Sequence, residues 1–206
     1  MKAQAALMLG LLLAGCDGGG DGGGGGTDTG APADDASGGE GVAVLPQDYP
    51  APPHGKTVGA VIENHTFLIP GDPPTEVRLS DYYQHETKKI LLINASAGWC
   101  GACKQEAGEM NDIFLANKAR GFDLLYTLFE DWNGGPVNQD FYEGWVSQYG
   151  GDYTTVLDPE FELGAYFNVE STPMNMLVDL STMTIVWLKT GFDPIVLQAK
   201  LDELLP

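Results

Sequence analysis

Cys100 and Cys103 are the residues of this chain whose type and spacing point most directly to chemistry. Two thiols three positions apart can close a small disulfide and reopen it by thiolate exchange. They follow the apolar run Ile90–Ile93, which predicts a buried strand, and they open a stretch with helical periodicity. A Cys-x-x-Cys pair at a strand-to-helix junction indicates redox chemistry.

The same pair is also compatible with a zinc site or a purely structural disulfide. Structural zinc needs four ligands, and Cys16 is the remaining cysteine. The three histidines show no paired ligand spacing: His54, His65 and His85. A structural bridge around so short a loop would restrict the unfolded chain little. The residues therefore favour a redox-active disulfide, with no metal and no other cofactor.

Two predicted elements position the cysteines. Lys89–Ala95 is apolar almost throughout, as in a strand covered on both faces. After it, residues suited to a core recur at helical spacing: Cys103, Ala107, Met110 and Phe114. Cys103 therefore lies on the core-facing stripe, whereas Cys100 lies at the helix N-terminus. Backbone N–H groups and the positive end of the helix dipole favour a thiolate there, so Cys100 is the predicted nucleophile and Cys103 the resolving thiol.

The rest of the folded region predicts further strands and helices. A hairpin is expected around the Pro70–Pro74 turn, between the apolar-rich stretch 58–68 and Glu76–Leu79. Other strands are predicted at 122–129, 154–157, 174–179 and 184–189, and helices at 138–149, 161–167 and 194–205. Strand-helix alternation followed by a strand pair and a helix predicts an α/β fold, with a mixed central sheet flanked by helices.

The N-terminal region has the pattern of an export signal. The chain has a short positive start, followed by the apolar stretch Ala5–Ala14. At the end of this stretch, Leu13-Ala14-Gly15-Cys16 resembles a bacterial lipobox. Residues 1–15 are predicted to be a lipoprotein signal peptide, Cys16 the lipidated residue, and 16–45 a flexible Gly- and Asp-rich tether. An ordinary secretory signal is the alternative. The apolar stretch is well short of the roughly 20 residues that span a bilayer.

Charge and length narrow the function further. The chain carries 29 acidic against 10 basic residues, which disfavours nucleic acid as a partner because phosphate binding needs clustered Lys and Arg. The roughly 160 residues after the tether fit one domain with an ample core.

With these residues in place, the chain resembles the TlpA-like thioredoxin-fold thiol-disulfide oxidoreductases over about 58–205. The resemblance is carried by the active-site stretch Leu91–Cys103, together with Val77–Tyr82, Glu106 and Thr172-Pro173-Met174. It implies a thioredoxin-like domain over 46–206, with an N-terminal hairpin and an inserted strand-helix unit. It also implies that Pro173 is cis and lies against the disulfide.

The resemblance gives roles to other site residues. Asn94 stands where minimal thioredoxins have a buried aspartate, so the role of a buried carboxylate passes to Glu106. A half-buried Glu106 would have a raised pKa and transfer protons to or from the resolving thiol, whereas the alternative is an exposed helix glutamate. Thr172, beside Pro173, is expected to pair its backbone with an extended substrate segment. Trp99 is expected to cover the disulfide at the surface, with core packing as the alternative.

The predicted function is that of an envelope oxidoreductase that reduces disulfides of secreted or periplasmic proteins. The domain is expected to face the periplasm or exterior and to receive electrons from a membrane partner. Three alternatives differ in class. A peroxiredoxin-like peroxidase would have threonine where this chain has Ala97. A copper-delivery protein of related fold would have a late histidine, and none follows His85. A docking lipoprotein without catalysis is the third. The sequence assigns no function to the loop Trp132–Pro136.

Overall fold

The computed structural model describes residues 49–205; the predicted signal peptide, Cys16 and tether lie outside them. Seven strands form one mixed sheet in the order β2-β1-β5-β4-β3-β6-β7. The strands are β1 Thr66–Ile69, β2 Thr75–Arg78, β3 Ile90–Ala97, β4 Phe122–Glu130, β5 Thr154–Leu157, β6 Met174–Asp179 and β7 Thr184–Thr190. The helices are α1 Gly101–Asn117, α2 Gln139–Tyr149 and α3 Pro194–Leu204. The predicted α/β class with a mixed sheet is confirmed.

Strand β3 lies at the centre of the sheet and delivers the cysteines. It pairs with β4 in parallel and with β6 in antiparallel orientation. Every residue from Ile90 to Ala97 is buried, as its mostly apolar sequence predicts for a strand covered on both faces. Because α1 begins at Gly101, only a short turn separates the buried end of β3 from the helix that carries Cys103.

The predicted hairpin and the inserted unit are both present. Strands β1 and β2 pair in antiparallel register from Thr66 opposite Arg78 to Ile69 opposite Thr75. The inserted unit consists of α2 and β5, and β5 joins the sheet parallel to β4. The side chain of Asn138 caps α2 by accepting a hydrogen bond from the Phe141 N–H at 2.9 Å.

The prediction of a helix over 161–167 is wrong in extent, because the helical part is a short 3-10 helix over Glu162–Ala165. Phe161 adopts a left-handed backbone conformation with φ 51°, which ends the helical path on its N-terminal side. Its ring packs on Phe129 with centroids 4.3 Å apart. Asp158 accepts hydrogen bonds from the N–H groups of Glu162 and Leu163 at 2.9 and 3.1 Å. Tertiary packing of an aromatic ring thus overrides the helical pattern.

Candidate active site

Cys100 and Cys103 form a disulfide, with their Cα atoms 5.3 Å apart. Cys100 is the N-cap residue of α1, and its sulfur accepts a hydrogen bond from the Cys103 N–H at 3.1 Å. Cys100 is 5% exposed and Cys103 is 0% exposed. The predicted stripe of Cys103, Ala107, Met110 and Phe114 is buried throughout. The geometry therefore places one sulfur at the helix N-terminus and the other on the core side.

The loop before β6 reaches the disulfide. The Thr172–Pro173 peptide bond is cis, as the resemblance implies, and the Cys100 Sγ lies 3.8 Å from the Thr172 carbonyl oxygen. The Thr172 N–H and hydroxyl both donate to the Val169 carbonyl oxygen, at 3.2 and 2.6 Å. Pairing of the Thr172 backbone with a substrate stays a prediction, and a substrate that used this N–H would replace its bond to Val169.

Glu106 is more deeply buried than the sequence predicts, with a residue exposure of 0%. One carboxylate oxygen accepts a hydrogen bond from the Asn94 side-chain amide at 2.8 Å, and the other from the Asn175 side-chain amide at 2.6 Å. Burial raises the pKa of Glu106 from 4.5 to about 8, and the two amide donors oppose this rise. The exposed-glutamate alternative is thereby excluded, and a carboxyl that titrates near neutral pH lies one helical turn from Cys103.

Several polar residues around Glu106 were not predicted. Asn175 lies two residues after Pro173 on β6, and Ser96 and Tyr126 lie on β3 and β4, all of them buried. Ser96 donates to the Asn94 side-chain oxygen at 2.7 Å, and the Tyr126 hydroxyl donates to Ser96 at 2.9 Å. The sequence did contain a signal for these residues, because they are polar side chains inside otherwise apolar strands and a buried polar group needs a hydrogen-bond partner. Their common partner could not be read from the sequence.

Trp99 lies at the surface beside the active site, and its core-packing alternative is excluded by an exposure of 42%. Its indole N–H donates to the Glu130 carboxylate at 2.6 Å. Glu130 ends β4, so this bond links the residue before Cys100 to the start of the loop that the sequence left without a function. Whether Trp99 covers the disulfide in contact with a partner stays a prediction.

The loop Trp132–Pro136 packs beside Gly98 and Trp99. Asp131 organises it by accepting hydrogen bonds from the N–H groups of Asn133 and Gly135, each at 2.8 Å. The Trp132 ring stacks on the buried Trp145 with centroids 5.5 Å apart, and the Lys104 ammonium lies 5.2 Å from the Trp132 ring centroid. The loop is therefore a packed wall of the site.

A small groove lies along this wall, with a volume of about 260 Å³. Its lining combines aromatic, acidic, glycine and proline residues: Phe129, Glu130, Gly134, Gly135, Pro136, Pro159 and Phe161. A larger hollow of about 480 Å³ lies near Ile90 and Leu180, at the end of β3 that is remote from the cysteines. The size of a cavity therefore does not mark the reactive centre in this chain.

Within residues 49–205, no three side chains of His, Cys, Asp or Glu come together as a candidate metal site. No helix of this same region is both long and apolar enough to cross a bilayer. The predicted lipidation residue, Cys16, lies outside the described region, so lipid attachment stays a prediction.

Comparison with known proteins places the fold. No protein-family model matches the chain, and no curated protein does so either. Solved structures match well: a Chlorobium tepidum protein described as the thiol:disulfide interchange protein DsbE has a TM-score of 0.57 and 22% identity, covering 73% of this chain and 100% of its own. The exposed lipoprotein thioredoxin of Streptococcus pneumoniae has a TM-score of 0.54 and 21% identity, and the match covers 68% of this chain and 100% of that one.

A secreted disulfide oxidoreductase of Mycobacterium tuberculosis, described as homologous to Escherichia coli DsbE, gives a TM-score of 0.53 at 14% identity, covering 68% of this chain and 96% of that one. At these identities the matches establish the fold. The chain has the thioredoxin-like fold found in thiol:disulfide interchange proteins, and the predicted fold class is confirmed.

Proposed function

We propose that this protein is an extracytoplasmic thiol-disulfide oxidoreductase that reduces disulfides of secreted or periplasmic proteins. The observation that carries the proposal is the position of the Cys100–Cys103 disulfide at the N-terminus of α1, beside the Thr172 carbonyl and one helical turn from Glu106. The solved structures with the same fold include thiol:disulfide interchange proteins, and their described activity supports the assignment.

The reaction begins with the reduced dithiol. The Cys100 thiolate attacks a partner disulfide, a Cys100–partner bond forms, and the first partner sulfur leaves as a thiolate. The Cys103 thiol then gives its proton to the Glu106 carboxylate, and its sulfur attacks the Cys100 Sγ. The Cys100–Cys103 bond forms, and the second partner sulfur leaves as a thiolate that takes up a proton. Two electrons pass from the dithiol to the partner, and a membrane electron donor restores the dithiol.

The location of this reaction follows from the N-terminal region. A lipid on Cys16 and the predicted tether 16–45 would hold the domain at the membrane while it searches for partners. The Streptococcus pneumoniae structure of the same fold is described as an exposed lipoprotein, which supports such a location. Replacing Cys16 by Ser should move the protein from the membrane fraction to the soluble fraction. Retention of the C16S protein in the membrane fraction would contradict lipid anchoring.

Insulin reduction tests the activity. The wild-type chain should precipitate insulin in the presence of a dithiol reductant, and Cys100→Ser should not. A Cys103→Ser variant should instead accumulate a mixed disulfide through Cys100, because attack proceeds and resolution cannot. Identifying the captured protein names the partner. Failure of the wild type to reduce insulin, together with no captured disulfide partner, would favour the non-catalytic docking protein.

A further inference from the structure

The buried residues around Glu106 form a directed chain of hydrogen bonds. Tyr126 donates to Ser96 at 2.9 Å, Ser96 donates to the Asn94 Oδ1 at 2.7 Å, and the Asn94 Nδ2 donates to the Glu106 carboxylate at 2.8 Å. The links from Ser96 and Asn94 point toward the carboxylate, and the single proton of the Tyr126 hydroxyl is shared between the Ser96 oxygen and the Cys103 carbonyl oxygen, which lies 3.2 Å away. Asn175 approaches from β6 and donates to the second carboxylate oxygen at 2.6 Å.

The chemistry of each group fixes the direction of the chain. The Gly191 carbonyl oxygen can only accept, and the Asn175 Nδ2 lies 3.4 Å from it, so the Asn175 Oδ1 faces the Asn94 Nδ2 and the Asn94 Oδ1 is left for the Ser96 hydroxyl. The Asn175 Oδ1 accepts a second bond from the Asn94 Nδ2 at 3.2 Å, which keeps the Asn175 Nδ2 on Glu106 as well. The residues that contribute these side chains are all at most 2% exposed, and hydrogen bonds in such a dry setting polarise one another.

We propose that Tyr126, Ser96, Asn94 and Asn175 are positioning residues, which hold Glu106 as the carboxylate that accepts the proton of the Cys103 thiol during resolution. This inference rests on the proposed function, since the proton transfer belongs to the resolving step. It adds four residues that act through Glu106. The set also contacts the main chain of the resolving cysteine, because the Tyr126 hydroxyl lies 3.2 Å from the Cys103 carbonyl oxygen.

Burial and hydrogen bonding act on the pKa of Glu106 in opposite directions, which explains why hydrogen-bond donors are needed around it. Burial favours a protonated Glu106, which could not accept a proton, and the two amide donors oppose this only in part, because the pKa of Glu106 is still raised to about 8. The carboxylate is therefore the minor form at neutral pH, and each donor increases its fraction. Two tyrosines among the described residues lie close enough to Glu106 to feel its charge, Tyr126 on β4 and Tyr153 before β5, and Cys103 precedes Glu106 by one turn of α1. Burial raises the pKa of both tyrosines above its ordinary value, and Glu106 raises it further. Both phenols therefore stay neutral through the range in which Glu106 titrates.

A matched pair of hydroxyl deletions tests the chain. Ser96→Ala removes the donor that orients Asn94. Thr127→Val removes an equally buried hydroxyl that donates at 2.7 Å to the main-chain oxygen of Asn94, outside the chain. Ser96→Thr keeps the hydroxyl and should restore the wild-type behaviour, and Tyr126→Phe removes the first donor with little change of shape.

The first measurement is the titration of Glu106 in the oxidised full-length protein, followed by carbon NMR of its labelled carboxyl group. Loss of the Ser96 hydroxyl weakens the donors, so the pKa of Glu106 should rise, with proton affinity increasing about two- to fivefold. Tyr126→Phe should move the titration in the same direction, and Thr127→Val should leave it in place. An unchanged titration in both Ser96→Ala and Tyr126→Phe overturns the proposal, as does an equal change in Thr127→Val.

The second measurement is the reaction of the reduced protein with an aromatic disulfide that releases a coloured thiolate. Attack by Cys100 releases one thiolate in a concentration-dependent phase, and attack by Cys103 on the resulting mixed disulfide releases the second in a concentration-independent phase. In Ser96→Ala the second phase should slow at neutral pH and its pH profile should move to higher pH, while the first phase stays unchanged. A second phase with the wild-type rate and profile overturns the proposal.

The two measurements separate this inference from the proposed function. A wild-type chain that does not reduce insulin, yet shows the shifted titration in Ser96→Ala, would overturn the oxidoreductase assignment and the proton-accepting role together, while retaining the hydrogen-bond chain. A wild-type chain that reduces insulin, with Ser96→Ala matching it in both measurements, would overturn the positioning role alone.

Discussion

The two sulfurs of the disulfide have different surroundings. Cys100 caps α1, receives the Cys103 N–H at 3.1 Å and faces the Thr172 carbonyl. Cys103 is completely buried on the core side of the same helix. Helix N-termini favour anions through their free N–H groups and the helix dipole, so the thiolate form is favoured at Cys100.

Alkylation tests this asymmetry. In the reduced protein near neutral pH, iodoacetamide should modify Cys100 much faster than Cys103, because thiolate character and access both favour the first sulfur. Mass spectrometry of the digested protein after short exposures measures the two rates. Equal rates, or faster modification of Cys103, would reverse the roles of nucleophile and resolving thiol.

Glu106 should make the stability of the protein depend on pH. Burial raises the pKa of Glu106 from 4.5 to about 8, so the native state retains this proton over a range in which the unfolded chain has lost it. The stability contributed by the raised pKa is full below about pH 4.5 and is lost as the pH rises through about 8. Glu106→Gln cannot titrate and removes this contribution.

Urea unfolding of the oxidised protein at several pH values measures the effect. The free energy of unfolding of the wild type, minus that of Glu106→Gln, should fall as the pH rises from about 4.5 to about 8. Using the oxidised form keeps the cysteines from titrating. Parallel stability curves for the two proteins would mean that Glu106 titrates at an ordinary pH.

At the scale of elements, the active site depends on how closely the loop after β4 approaches the end of β3. A Cβ atom at Gly98 would lie 2.6 Å from the Asp131 carbonyl carbon and 2.7 Å from the Trp132 backbone nitrogen. The Gly98 N–H also donates to the Glu130 carbonyl oxygen at 2.8 Å. Only glycine fits this contact, which holds Trp99 beside its hydrogen-bond partner Glu130.

Gly98→Ala should therefore destabilise the protein and displace the loop. Because the obstructing atoms belong to the main chain, we expect a loss of about 1–3 kcal/mol in urea unfolding, typical of overpacking. Gly108→Ala is the matched control, since a Cβ there meets nothing within 4 Å. In the interior of α1 that exchange should stabilise by about 0.5–1 kcal/mol. Wild-type stability of Gly98→Ala would show that the loop moves away without cost.

At the scale of the whole molecule, the direction of electron flow depends on the relative stability of dithiol and disulfide. The residues between the cysteines, Gly101 and Ala102, carry no cation that would stabilise the reduced thiolate. Lys104 follows the pair, and its ammonium lies over the Trp132 ring at 5.2 Å. The lack of a cation between the cysteines is the basis for the proposed direction, in which the dithiol gives electrons to its partners.

The reduction potential should accordingly lie nearer the roughly −270 mV of thioredoxin than the roughly −120 mV of a dedicated oxidant. Equilibration of the full-length chain with glutathione buffers of known ratio measures it, with the oxidised fraction followed by mass spectrometry after acid quenching. A value above about −170 mV would identify an oxidase or isomerase and contradict the proposed direction.

The sequence determined the elements that carry the site, because those signals are local. The apolar run before Cys100 and the stripe that begins at Cys103 predicted β3 and α1. The pattern also predicted the start of α2 next to Asn138 and the start of α3 at Pro194. The strand predicted at 154–157 is β5. Hydrophobic periodicity records which face of each segment must be covered, and that requirement holds whatever the neighbours are.

The tertiary structure decided how deeply each polar residue is buried and which partner it meets. Asn175 reaches Glu106 across 69 residues, and Glu130 reaches Trp99 across 31. Glu106 is fully buried because β3, β4 and β6 bring Asn94, Tyr126 and Asn175 around it. Such contacts depend on sheet order and register, which no local pattern contains, and burial is a property of the assembled neighbours. The redox chemistry of the cysteines could therefore be predicted from the sequence, whereas the buried environment of Glu106 beside them is formed only by the tertiary structure.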